Sequence, residues 1–192
     1  MTLASASPRR RELLASLGIT VTVVPSDYHE VDLAGVSPTE LAMTHARGKA
    51  TGAQYDRSLE AVVIGADTVV DVDGEALGKP RDARESRAMI ARLSGREHLV
   101  HTAFSLRDAI SERSFDAIST TRVRFYALDD PEIDRYVATG DGLDKAGAYG
   151  IQGRGATLVE HIDGDFYTVM GFPLGAFVRA LPALGWHLGA SA

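Results

Sequence analysis

The chain has 192 residues, of which 45% are hydrophobic and 24% charged, so it is long enough to bury a substantial core. It contains no cysteine, which excludes disulfides and thiolate sites and leaves oxygen or imidazole ligands for any metal. The formal net charge of -6 argues against binding polymeric nucleic acid, and without a long apolar run or a signal-peptide pattern we expect a cytoplasmic protein with no membrane partner.

The first part of the chain carries signals for two short strands and two helices. Residues 2–4 indicate the end of a strand, and Ser7 followed by proline predicts a helix over 7–17, because serine is a good N-cap and proline suits the first helical position. A strand is expected over 21–24. A capping box then predicts a helix over 37–55.

The middle of the chain predicts a strand, a hairpin turn and an antiparallel pair. An apolar strand is expected to end at Asp67, and the Asp73-Gly74 dipeptide is typical of a turn that closes a hairpin. A helix over 82–95 follows. Two alternating stretches at 99–106 and 118–125 are expected to pair with each other.

The last third predicts a helix over 130–139, a glycine-rich stretch over 140–155, a strand over 158–162 and a final helix from about Leu174. Helices alternate with strands, yet the middle is hairpin-like. We therefore predict an α/β fold with a mixed central sheet flanked by helices. No linker or repeat interrupts the pattern, so residues 1–192 are expected to form a single domain.

The stretch "ASASPRRRELL" suggests a phosphate site. A helix that begins at Ser7-Pro8 directs unpaired N–H groups and the positive end of its dipole toward what precedes it, and this end attracts phosphate. Arg9 and Arg10 in the first turn have the wrong sign for the helix dipole, which an anionic ligand would offset. The alternative is an ordinary solvated basic turn.

Four further positions are candidates for chemistry. Asp67, followed by Thr68, comes after an apolar strand, and its carboxylate could hold a divalent cation or accept a proton from water, unless it only caps a turn. Lys79 in "GKP" could reach a phosphate or could simply be solvated. Gln152 in the glycine-rich stretch could read a base edge, and Glu30 could be a metal ligand or part of a polar turn.

Several blocks together resemble the Maf family of nucleoside triphosphate pyrophosphatases. They are "LASASPRRRELL", "VIGADTVV", "LGKP", "LSGREH" and "DKAGAYGIQGRGA", followed by "IDGDFYTVMGFPL", in the family's order over nearly the whole chain. The block "DKAGAYGIQG" resembles the branch that acts on dTTP and UTP. The resemblance implies a fold akin to the inosine triphosphate pyrophosphatases, a requirement for Mg²⁺ or Mn²⁺, and a homodimer.

The same resemblance implies roles for individual residues. Asp67 corresponds to the proton acceptor, and Arg9, Thr68 and Gln152 match positions associated with substrate choice. One departure is that His29-Glu30 stands where the family commonly has an acidic pair, so the first carboxylate of that pair is missing. The expected metal ligands are Asp67 and Glu30. Further pocket positions of the family are matched by Ser7, Arg10, Lys49 and Lys79.

The expected reaction is hydrolysis of dTTP and UTP, or of modified pyrimidine nucleotides, to the nucleoside monophosphate and pyrophosphate. Three alternatives stay open at this point. A 7-methyl-GTP pyrophosphatase would have the same chemistry with another base pocket. A non-catalytic nucleotide-binding regulator of cell division would bind nucleotide without releasing pyrophosphate. A phosphate-binding structural module would neither be stabilised by nucleotide nor release pyrophosphate.

Overall fold

The structure, a computed structural model, describes residues 1–31, 35–56 and 61–189. Within them lies a mixed sheet. Its strands are β1 (Thr2–Leu3), β2 (Thr22–Val23), β3 (Val62–Val72), β4 (Glu75–Leu77), β5 (Glu97–Asp108), β6 (Ser114–Phe125) and β7 (Val159–Asp163). The order across the seven-stranded sheet is β2-β1-β3-β5-β6-β7, with β4 also paired to β3. Strand β1 is parallel to both of its neighbours, and the other pairings are antiparallel. The predicted mixed sheet is confirmed.

Helices flank the sheet, and most begin where the sequence predicts a cap. The side chains of Ser37, Asp82 and Asp129 each accept a hydrogen bond from a backbone N–H three residues on, which satisfies a donor that the helix cannot. Among the described helices, none is both long and apolar enough to cross a membrane. The α-helices are α1 (Pro8–Ser16), α2 (Pro38–Thr51), α3 (Ala83–Leu93), α4 (Asp130–Val137), α5 (Phe166–Met170) and α6 (Leu174–Ala180).

One strand boundary differs from the prediction in a way that affects the site. The sequence predicts a strand that ends at Asp67, but β3 continues through Asp67 to Val72 and pairs with β5 from Val62 to Asp71, with Asp67 opposite Ala103. Beyond the aspartate, Val70 and Val72 are buried in an apolar cluster, and this burial extends the strand. Asp67 therefore projects from the middle of a strand and not from its end.

Other boundaries shift by a few residues. The helix predicted over 37–55 ends at Thr51 with Gly52 as its C-cap. The strand predicted over 118–125 begins at Ser114, because β5 and β6 form one long hairpin. The glycine-rich stretch contains short 3₁₀ turns at Ala146–Ala148 and Gly153–Leu158.

The main core lies on one face of the sheet. Alternation along β3 places Ile64 and Ala66 on this face, where they share a buried cluster with Leu14 of α1, Phe104 of β5 and Phe177 of α6. A second cluster joins α3 and α4 to the sheet. Burial of Leu14 fixes helix α1, and with it the direction in which the arginines at its start project.

Helix α2 lies against the other face. Its Ala42 and Ala46 pack on Val69 of β3 and Ala103 of β5. The approach is closest at Gly65, where a Cβ atom would lie 2.2 Å from the backbone oxygen of Ala46. Small residues on both elements therefore let the end of α2 lie directly on the middle of β3.

Candidate functional site

A cleft of about 1590 Å³ opens between the start of α1, the end of α2, the middle of β3 and the glycine-rich stretch. Its walls come from segments far apart in the sequence. The residues predicted for the site all line it: Ser7, Arg9, Arg10, Glu30, Lys49, Asp67, Thr68, Lys79 and Gln152. The fold thus brings the predicted residues together around one cavity.

Lys49 joins the two predicted carboxylates. Its Nζ atom lies 2.6 Å from Oδ1 of Asp67 and 2.7 Å from Oε1 of Glu30. Asp67 is only 8% exposed, so its charge is offset mainly by this ammonium group. Burial alone raises the pKa of the Glu30 carboxyl, but its hydrogen bond to Lys49 and the charges of Lys49, His45 and Lys79 outweigh burial and hold that pKa below its ordinary value. Glu30 is therefore an anion near neutral pH.

Arg10 is buried beneath the cleft and held on three sides. Its Nε donates to the backbone oxygen of Gly171 at 2.9 Å, and its two terminal nitrogens donate to Ser5 Oγ and Thr68 Oγ1, each at 3.1 Å. Burial lowers the pKa of Arg10, and the charge of Asp67 raises it again in part. An arginine keeps its charge in such a setting, so a fixed cation lies beside the carboxylate.

The N-terminus of α1 faces the same cleft. Ser7 occupies the predicted N-cap position, but its side chain makes no capping hydrogen bond. The N–H groups of Arg9 and Arg10 lie in the first turn, where a helix has no carbonyl partner for them. The Ser7 hydroxyl and these N–H groups are therefore available to an anion in the cleft.

Arg9 pairs with a residue of the glycine-rich stretch. Its Nη1 atom lies 3.1 Å from Oδ2 of Asp144, and Lys145 Nζ lies 2.5 Å from Oδ1 of the same carboxylate. Burial raises the pKa of Asp144, but the hydrogen bond from Lys145 and the charge of Arg9 outweigh burial and lower it. This ion pair connects α1 to the loop that carries Gln152, whose exposed side chain lines the cleft.

The sequence reasoning missed a second pair on the cleft wall. The Tyr28 hydroxyl lies 2.8 Å from Nδ1 of His45, and both residues line the cleft. The tyrosine ring covers Gly48 of α2, where a Cβ atom would lie 2.2 Å from the ring. A glycine inside a helix is the signal that could have indicated this close contact.

The residues present fit a hard divalent cation bound together with phosphates. Asp67 and Glu30 each bring a carboxylate oxygen within 2.7 Å of Lys49 Nζ, so the two carboxylates lie close enough together to share a cation. Mg²⁺ favours one or two carboxylates plus phosphate oxygens. Over residues 1–31, 35–56 and 61–189 there is no cluster of three or more histidine or acidic side chains that could cage a metal. A substrate would have to complete the ligand set.

Comparisons with known proteins found similar sequences and a similar solved structure. The chain is 48% identical over 179 residues to a Bacillus velezensis protein named dTTP/UTP pyrophosphatase, which covers 93% of both chains. It is 46% identical to a Thermus thermophilus protein of the same name, covering 96% of this chain and 95% of that relative. A crystal structure of a Mycobacterium abscessus nucleoside-triphosphatase (dITP/XTP pyrophosphatase) aligns with a TM-score of 0.43 at 17% identity, over 95% of this chain and 92% of that one.

A family model covers almost the same extent. The model, described as Maf-like protein, matches residues 1–184. That range includes α1 with its arginines, β3 with Asp67 and the whole glycine-rich stretch. The chain belongs to the Maf family.

Proposed function

We propose that this protein is a nucleoside triphosphate pyrophosphatase that hydrolyses dTTP and UTP, or modified pyrimidine nucleotides, to the nucleoside monophosphate and pyrophosphate. The observation that carries the proposal is the convergence of a buried carboxylate, Asp67, with the cations Lys49 and Arg10 on one large cleft. The dTTP/UTP pyrophosphatases of Bacillus velezensis and Thermus thermophilus support the choice of substrate.

The polyphosphate lies against the N-terminus of α1 in this mechanism. The Ser7 hydroxyl and the first-turn N–H groups bind phosphate oxygens, and Arg9, Arg10 and Lys79 offset their charge. Pyrophosphate leaves with additional negative charge, which the cations around the cleft offset. Arg9 and Arg10 already bind the polyphosphate in the ground state, so they contribute mostly to substrate binding. Thr68 accepts a hydrogen bond from Arg10. Together with Arg9 and Gln152, it contributes to substrate choice.

Asp67 acts on water. Its carboxylate orients or deprotonates a water molecule for attack on the α-phosphorus, and Lys49 holds the carboxylate in place. Asp67 and Glu30 would hold Mg²⁺ or Mn²⁺, which when bound supplies Lewis-acid stabilisation to phosphate oxygens. Because Glu30 stays ionised, it keeps its capacity as a ligand near neutral pH.

We also propose a compartment, an oligomeric state and the absence of one class of partner for the enzyme. Residues 1–192 act as one catalytic domain in the cytoplasm, as a homodimer, with no polymeric nucleic acid as partner. The net charge of -6 supports the last point, because a broad basic face is what nucleic acid requires. Sedimentation equilibrium of the purified chain tests the dimer, and a monomer mass at micromolar concentration would contradict it.

A pyrophosphate-release screen tests the activity. Purified protein with Mg²⁺ or Mn²⁺ is offered ordinary and modified nucleoside triphosphates, and we expect release from dTTP and UTP to exceed release from the others. Preference for 7-methyl-GTP would assign the other branch of the family. Thermal stabilisation by nucleotide without turnover would indicate a regulator, and no stabilisation would indicate a structural module.

Gln152→Ala is expected to relax base selection. A side-chain amide offers one donor and one acceptor, which match the alternating N–H and carbonyl groups of uracil or thymine, and losing such a pair costs roughly 1 to 3 kcal/mol. The preference for UTP over GTP in kcat/KM should therefore fall by about tenfold or more. Gln54→Ala is the control, since Gln54 pairs with Asp27 outside the cleft lining. An unchanged preference would remove Gln152 from base recognition.

Arg9→Ala is expected to raise KM for UTP by about tenfold with little change in kcat, because a charge-assisted contact with the polyphosphate contributes mostly to binding. Arg11→Ala is the matched control. Arg11 is exposed on the same helix but does not line the cleft. Steady-state kinetics separate the two constants, and equal KM values in the Arg9 and Arg11 variants would contradict a substrate contact by Arg9.

A further inference from the structure

Two linked hydroxyls, those of the half-buried Thr68 and the buried Thr102, lead from the cleft into the sheet. Thr68 Oγ1 lies 3.0 Å from Thr102 Oγ1 on the neighbouring strand β5, and Thr102 Oγ1 lies 2.7 Å from the backbone oxygen of Thr168 in α5. Thr102 and Thr168 are both 0% exposed. On the side of the cleft, Arg10 donates a hydrogen bond to Thr68 Oγ1. The Thr102 hydroxyl is absent from the cleft lining, and the proposed function does not use it.

The donor and acceptor of each of these hydrogen bonds are fixed. A carbonyl oxygen can only accept, so the single proton of the Thr102 hydroxyl goes to the backbone oxygen of Thr168. The contact between Thr102 and Thr68 then requires Thr68 to donate. The proton of Thr68 points into the sheet, and a lone pair of its oxygen faces the guanidinium of Arg10.

This direction determines what Thr68 can do. With its one proton given to Thr102, the hydroxyl has none left for a phosphate oxygen, and it acts on Arg10 as an acceptor. Arg10 is also held by the backbone oxygen of Gly171, which follows directly after α5. Two contacts linked to α5 thus fix the plane of the guanidinium. One runs through Thr102 and Thr68, and the other is the backbone oxygen of Gly171.

We propose that Thr102 is a positioning residue of the phosphate site, which acts through the Thr68 hydroxyl to orient Arg10. The inference rests on the proposed function only in taking Arg10 as a ligand of the polyphosphate. Without the Thr102 oxygen, the Thr68 proton loses the acceptor that holds it, and the hydroxyl is free to turn away from the orientation in which it accepts from Arg10. The guanidinium then loses one of its three fixed contacts.

Thr102→Val tests the proposal, because valine keeps the shape and removes the hydroxyl. We expect KM for UTP to rise about tenfold with kcat nearly unchanged, and Thr102→Ser to restore the wild-type KM. Thr121→Val is the matched control. Thr121 lies on the next strand, is 0% exposed, and donates to the backbone oxygen of Asp165 at 2.9 Å, but it does not contact Thr68 or Arg10.

Both valine variants should lose similar thermal stability, because each removes one buried hydrogen bond to a backbone carbonyl. An equal rise of KM in both variants, or no rise in Thr102→Val, would overturn the proposal. A second test uses the Arg10→Ala background, where Thr102→Val should have no further effect on KM. A full tenfold effect on that background would show that Thr102 does not act through Arg10.

Binding of inorganic tripolyphosphate, measured by calorimetry, separates this inference from the proposed function. A protein that releases no pyrophosphate from any nucleotide would contradict the function, yet its affinity for tripolyphosphate would still report on Arg10. We expect Thr102→Val to weaken that affinity about tenfold and Thr121→Val to leave it unchanged. Equal affinities in wild type and Thr102→Val would overturn the positioning role even if nucleotide hydrolysis is established.

Discussion

Asp67→Asn is expected to reduce turnover of UTP by roughly 10²- to 10⁴-fold, the range typical of losing a general base. Asparagine keeps the shape of the side chain and its contact with Lys49 but cannot accept the proton. Nucleotide should still bind, because Arg9, Arg10 and the N-terminus of α1 stay in place. Single-turnover measurement of pyrophosphate release, with nucleotide binding measured separately, distinguishes a chemical defect from a binding defect.

The chain offers a close control for this variant. Asp71 lies on the same strand and the same face and is not part of the cleft lining. Its Oδ2 atom lies 3.2 Å from Nε2 of His101. Asp71→Asn should therefore retain nearly full turnover. Near-normal turnover of Asp67→Asn would remove Asp67 from the role of proton acceptor, and comparable losses in both variants would point to a general effect on β3.

Gly65→Ala is expected to have the largest effect on stability. The new methyl carbon would lie 2.2 Å from the backbone oxygen of Ala46 and 2.5 Å from the backbone nitrogen of Ala50, so no side-chain rotation can relieve the clash. Overpacking of this kind costs about 1 to 3 kcal/mol and forces α2 away from β3. Because α2 carries Lys49, activity should fall together with the free energy of unfolding.

Urea unfolding measures the stability change. The chain has one tryptophan, Trp186, which packs against the main core and reports its loss by fluorescence. Gly175→Ala is the control, since its nearest neighbour within 4 Å is the flexible end of Arg179 at 3.4 Å, and alanine favours the helix. A midpoint for Gly65→Ala equal to that of wild type would mean that α2 and β3 tolerate a wider separation.

Much of the fold was predictable because its signals are local. The Asp73-Gly74 turn closes the hairpin of β3 and β4 as expected, and the Ser37 capping box opens α2. The end of β3 was not predictable in the same way. An aspartate after an apolar run is typical of a strand end, and only the pairing with β5, distant in sequence, keeps Asp67 inside the strand.

The candidate site, too, was predictable from the sequence only in part. A helix start with basic residues indicated a phosphate site, and the family resemblance supplied Lys49, which no local pattern marks. The burial of Arg10 and the ion pair of Arg9 with Asp144 depend on contacts between distant segments. Long-range packing chooses between an exposed and a buried arginine, and three consecutive arginines in the sequence do not reveal which one is enclosed.

The position of β1 between β2 and β3 has a consequence for how the protein folds. Thr2 pairs with Val63, so the two-residue strand that introduces α1 enters the sheet only after the intervening chain has been closed into a loop. Such distant pairings slow folding, and the hairpin of β5 and β6 can form without them. We therefore expect anion affinity to appear only late in refolding, so that nucleotide does not speed the early steps of folding and does slow unfolding.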